Sequence, residues 1–229
     1  QVITAVADGA IAGTDVQKYV AEEKERLGIV DEPQQEKAET KKETAPKETA
    51  KSGKSSLLSD AIKGQLKGIF DKMEKEVTLV TIVDESLPKS VELRDFLIDV
   101  AELGAKLHLE VYTKGENADM ESKVNADKYP VVSLLDDQGN YSGVKFHGVP
   151  GGHELNSFIL AIYNLAGPGQ ALDASIKQSI QALDKKANIK VMVSLSCHYC
   201  PDVVVGAQRI AIENKNVEAE MLDISNFQD

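Results

Sequence analysis

Ser194-Leu195-Ser196-Cys197-His198-Tyr199-Cys200-Pro201-Asp202 holds both cysteines of the chain, three residues apart. The residues before it, Ile189–Leu195, read as a strand, and those after it read as a helix running through Ile212. A strand that ends in Cys-x-x-Cys at the start of a helix is an arrangement for thiol–disulfide exchange. Sulfurs three positions apart at a helix start are close enough to bond. The free N–H groups and positive dipole end of the helix favour thiolate, which is the nucleophile. Cys197 is expected as the exposed attacking thiol and Cys200, in the first turn, as the resolving one. Pro201 suits an early helical position, where its missing N–H is not needed. Asp202 adds a favourable charge to the first turn. Two other readings stay open: an inert buried pair, or a zinc site completed by His147 and His153. His198 and Tyr199 either tune the pair and meet the partner, or simply face solvent.

Working outward, the chain reads as α/β. Residues 57–73 carry Leu58, Ile62, Leu66, Ile69 and Met73 at helical spacing. Val77–Val83 is a strand, Pro88–Leu103 an amphipathic helix, Leu107–Tyr112 a strand and Val131–Leu135 another. Asp136-Asp137-Gln138-Gly139-Asn140 is a hairpin turn, Tyr141–Phe146 returns as a strand, and Glu154–Leu165 is a helix. A βαβ unit followed by a hairpin and a helix is the thioredoxin order, and Pro130 stands where that fold places a cis proline. The order then restarts: helix Ala171–Leu183, strand Ile189–Leu195, the cysteine helix, and strand Val217–Ile224. Tandem thioredoxin-like folds are therefore expected, 57–168 without cysteines and 169–229 with the redox site. The second copy lacks its proline turn, hairpin and last helix, as though truncated, which exposes a sheet edge. The first copy has Asp84-Glu85-Ser86-Leu87-Pro88 where the second has its cysteines, so it is expected to act as a scaffold or docking surface. Glu154 reads as a helix N-terminal carboxylate stabilised by the dipole. If the two copies share one sheet, it is also a candidate proton acceptor facing the dithiol.

The remaining sequence supplies context. Residues 1–23 form a short unit with Ala10, Ile11, Val16, Tyr19 and Val20 on one helical face, too short to fold alone. Residues 24–56 read as a flexible linker with a KETA near-repeat. A coil over 21–56 spans roughly 30–35 Å between its ends. The net charge of -11 argues against phosphate backbones and anionic membrane surfaces as partners. No stretch is long and apolar enough to span a bilayer. Two neighbouring cysteines in a chain without a leader-like segment point to a reducing, cytoplasmic setting. Gln1 in place of Met suggests that the chain begins inside a longer protein.

Residues 57–229 resemble the N-terminal domain of the F subunit of alkyl hydroperoxide reductase. The likeness rests on SLSCHYCPDVV (Ser194–Val204), GGHEL (Gly151–Leu155) and the phrase around Phe227-Gln228. That resemblance implies a tandem thioredoxin fold whose dithiol relays electrons from a flavoprotein dithiol to a peroxiredoxin of the alkyl hydroperoxide reductase C type. It also implies an acid–base role for Glu154 beside Cys197 and Cys200. Residues 1–22 resemble the end of a bacterial thioredoxin reductase, through Gln1, Thr4, Gly9 and Ala12. This second resemblance implies FAD and NAD(P)H in a homodimeric parent, with Gln1 and Val2 at the flavin edge. It also implies that the tandem domain follows the flavoprotein body. No cofactor is expected on residues 57–229 and no metal ligands are assigned. A general thioredoxin- or glutaredoxin-like disulfide reductase module is the alternative function, and a binding module held by zinc is a third.

Overall fold

A computed structural model describes residues 57–227. The expected unit at 1–23, the linker at 24–56, the flavin-edge residues Gln1 and Val2, and Gln228 lie outside the described residues. Six helices and six strands follow in the order α1 Asp60–Phe70, β1 Val77–Val83, α2 Pro88–Ala101, β2 Leu107–Thr113, α3 Ala118–Lys123, β3 Val131–Leu135, β4 Tyr141–His147, α4 Glu154–Ala166, α5 Ala174–Gln181, β5 Ala187–Val193, α6 Cys200–Glu213 and β6 Val217–Asp223. Every element expected from the sequence over these residues is present, with ends moved by a few residues.

The strands form a single sheet in the order β2-β1-β3-β4-β6-β5. β1 and β2 are parallel, β3 is antiparallel to both β1 and β4, and β6 runs parallel to β4 and to β5. The second copy therefore does not build a sheet of its own. Its strands extend the first sheet through β4 and β6, where Val144 faces Ala219 and His147 faces Leu222. β5 lies at one edge of this sheet among the described residues.

Side chains alternate across the sheet, as a period of two requires. Leu79, Leu134, Phe146, Ala219 and Met221 enter one continuous core with α1, α2, α4 and α6. Val80, Ile82, Val131 and Leu135 form a smaller core on the opposite face, with Val124 just after α3. Farther along that face the residues turn polar: Lys145 and His147 on β4, Glu218 and Glu220 on β6, and Asn188 and Lys190 on β5.

Three details go beyond the sequence reading or depart from it. α3 occupies a stretch read only as polar; it buries no residue of its own and is started by Asn117 Oδ1, which accepts from the Met120 N–H at 3.0 Å. α5 begins at Ala174 because the Asp173 carboxylate caps it, accepting from the Ser175 N–H at 2.7 Å. Of its expected apolar face only Ile180 is buried, and Ile176 and Leu183 remain exposed. Tyr129–Pro130 is cis as expected, and Gly167–Pro168 is cis as well.

Candidate functional site

Cys197 and Cys200 are joined as a disulfide, with their Cα atoms 5.6 Å apart. Cys197 lies in the turn ahead of α6, where its N–H donates to the Ser194 carbonyl at 2.9 Å. Cys200 is the first residue of α6. Both are partly exposed, so access does not by itself rank one sulfur above the other. Tyr199 at the N-cap offers no side-chain hydrogen bond, and Pro201 follows inside the first turn. No side-chain acceptor at the cap competes for the first-turn N–H groups of α6. His198 and Tyr199 point outward; Tyr199 is 73 % exposed.

The first copy supplies the wall behind this loop. The His153 N–H donates to the Leu195 carbonyl at 3.1 Å. Gly152 makes this approach possible: its φ is +57°, and a Cβ there would stand 2.6 Å from the Leu195 oxygen. The His153 and His198 rings lie 4.3 Å apart between centroids. Glu154 follows at the start of α4. That helix is seated by Phe158, which packs on Phe146 at 5.2 Å and on Phe96 at 5.7 Å.

Glu154 is fully buried. The Ser157 hydroxyl donates to its Oε2, while Oε1 has no hydrogen-bond partner among the described residues. Burial raises the pKa of this carboxyl to about 7, against the Ser157 hydrogen bond and with help from the negative charge of Asp202. The helix-dipole reading of Glu154 predicted a stabilised carboxylate. Desolvation outweighs that effect, because the side chain turns inward rather than to solvent. A carboxyl with a pKa near neutrality can both take and return a proton at working pH. The two histidines considered as zinc partners for the cysteines separate. His153 packs at a tilt against His198, whereas His147 bonds to Lys128 O and Glu220 on the polar sheet face.

No family model matches the chain. The F subunit of alkyl hydroperoxide reductase in Pseudomonas putida is 31 % identical over 173 residues, covering 76 % of this chain. The chain spans only 31 % of that relative's length. A solved structure of the same component (AhpF) of Enterococcus faecalis superposes with a TM-score of 0.72 at 48 % identity, covering 76 % of this chain and 83 % of that one. The chain belongs to the AhpF family of alkyl hydroperoxide reductases. The NTD_N/C domain of the Enterococcus faecalis AhpF gives a TM-score of 0.71 at 48 % identity, covering 75 % of this chain and 82 % of that one. The fold is accordingly the thioredoxin-like one of the AhpF N-terminal domain. This AhpF homologue carries its Cys-x-x-Cys pair at disulfide distance.

Proposed function

We propose that Cys197 and Cys200 are the exchanging thiols of an electron relay. The relay takes reducing equivalents from an NAD(P)H-linked flavoprotein and delivers them to a peroxiredoxin of the alkyl hydroperoxide reductase C type, within a cytoplasmic, homodimeric parent. The supporting observation is the disulfide at the start of α6, backed by the buried Glu154 with its pKa raised to about 7. In the reduced pair, the Cys197 thiolate attacks one sulfur of the peroxiredoxin disulfide. A mixed disulfide forms and the other peroxiredoxin sulfur leaves as a thiolate. Glu154 accepts the Cys200 proton. The Cys200 thiolate then attacks Cys197, the Cys197–Cys200 disulfide re-forms, and the second peroxiredoxin sulfur leaves. Two electrons have moved, and Glu154 returns its proton when a flavoprotein dithiol next reduces the pair.

When bound in the parent, FAD would pass electrons from NAD(P)H to that dithiol. Two clefts of the described residues, about 340 and 410 Å³, are lined largely by Lys, Asn and Glu side chains, a setting unlike the apolar slot a flavin ring needs, and neither includes a residue of the cysteine loop. Gln1 and Val2 are the residues proposed for the flavin edge.

The test is a rapid-mixing comparison. The reduced chain is mixed with oxidised peroxiredoxin, with thioredoxin and with insulin. Peroxiredoxin should react at least about a hundredfold faster than insulin. Equal rates would instead favour a general disulfide reductase module.

A further inference from the structure

The polar face at the β4–β6 join holds a cluster that the thiol chemistry does not use. Lys145 is fully buried there, and its ammonium group is satisfied by the Asn125 carbonyl at 2.7 Å and by Glu218 and Glu220 at 3.1 and 3.5 Å. Glu220 Oε1 is held by Lys145 and Asn188, and Asp127 Oδ2 by Lys128. The other oxygen of each carboxylate turns to His147. Glu220 Oε2 and Asp127 Oδ1 stand 3.1 and 3.8 Å from its Nε2, and the ligand atoms of the three residues all lie within 4.8 Å of one another. The far ring nitrogen, Nδ1, is 3.1 Å from the Lys128 carbonyl, which can only accept. Nδ1 therefore carries a proton, and Nε2, which meets Glu220 Oε2 at 3.1 Å, is the nitrogen an ion would take in place of that hydrogen bond. A carbonyl that fixes the far nitrogen of a histidine is the usual outer shell of a metal ligand.

An ion here would replace the Glu220–His147 hydrogen bond and draw in the Asp127 carboxylate, which makes no hydrogen bond to the ring. At 3.8 Å the Asp127–His147 separation is too long for a hydrogen bond. Tetrahedral ligands about 2.0–2.1 Å from zinc stand roughly 3.3–3.4 Å apart. The two observed separations bracket that value. A cleft of about 410 Å³ with Asp127 and Glu220 in its wall leaves room for water to complete the coordination. We propose that Asp127, His147 and Glu220 form a binding site for a divalent ion of the zinc class, which ties the loop ahead of Pro130 to β4 and β6.

The whole chain is tested with its disulfide intact, so that thiols cannot serve as ligands. After dialysis against zinc, one ion per chain should remain, and zinc should raise the melting temperature. Cobalt should give the intense visible bands of a tetrahedral N/O site. Asp127→Asn alters an exposed, isosteric side chain and keeps the fold; it should weaken zinc binding more than tenfold. His147→Gln should abolish the cobalt spectrum. Three results would overturn the proposal: no retained zinc, equal zinc affinity in Asp127→Asn, or a preference for magnesium or calcium.

Discussion

The two βαβ units place the same elements around different chemistry. In β1 nearly every residue is buried, whereas β5 is mostly exposed, and Met192 there is 66 % exposed. Both following helices, α2 and α6, start beside a proline and lack a side-chain N-cap bond. Ahead of α2, Asp84 ties its own turn by accepting from the Ser86 N–H at 3.1 Å. Ahead of α6 stand Cys197 and Cys200. The unit with the more complete core is the one without thiols. The unit with the thiols relies on its neighbour for β4 and for the wall at Gly152 and His153. A helix start of this kind is therefore common to both units, and what sets the second apart is the sulfur pair.

The largest expected effect comes from removing the sulfur that distinguishes the second unit. Cys197→Ser should lower the rate of peroxiredoxin disulfide reduction by about a thousandfold or more, measured by rapid mixing, with the melting temperature nearly unchanged. Activity within tenfold of the parent chain would undo the assignment of the attacking thiol.

Titration of Glu154 tests the acid–base role proposed for it. Its pKa is raised in the folded state to about 7, from 4.5. Below about 4.5 the group is protonated whether folded or unfolded and stability is unaffected. As pH rises toward 7 the unfolded chain loses this proton first, so wild-type stability falls and then levels off. Glu154→Gln should remove that decline, making the variant more stable by on the order of 3 kcal/mol at pH 8 in urea titrations. Its exchange rate should nonetheless fall by about a hundredfold near neutral pH. A wild-type stability curve that is flat from pH 4.5 to 7 would show that the carboxyl is not perturbed as described.

The join itself can be strained. Gly143 has φ of +82°, and a Cβ on it would lie 2.5 Å from the Val217 carbonyl of β6. Gly143→Ala should cost about 2–3 kcal/mol of global stability, read from the urea midpoint. A loss confined to β5 and β6 in hydrogen exchange would mean that the two units unfold separately. The smallest effect is expected at the open edge. Met192→Lys should change stability by less than about 0.5 kcal/mol. Ile82→Lys, at the matching and fully buried position of the other unit, should instead prevent folding.

Most of the fold was legible because its strands are short apolar runs bounded by turn residues, as Val77–Val83 and Val131–Leu135 show. α3 was not, since a short polar helix held by one asparagine cap has no hydrophobic period to read. The β4–β6 pairing was legible only as a condition, because nothing in either strand names the edge it will meet. The cysteine pair announced itself through spacing and context. The state of Glu154 did not: a carboxylate opening a helix normally faces water, and its burial and the charge of Asp202 that acts on it arise only in the folded chain. The cluster at Asp127, His147 and Glu220 was hidden for the same reason, its members coming from a loop and two strands that meet only in the folded sheet.

The close approach of Gly143 to the Val217 carbonyl also bears on how such a duplicated chain can change over time. Two copies with independent cores can drift apart freely, each answering only to its own packing. Here one position in the cysteine-free copy is also the seat of a strand in the other. A substitution there is judged twice, once by each half. The cysteine-free half does not gain the freedom to diverge, because its fourth strand also seats a strand of the half that holds Cys197 and Cys200.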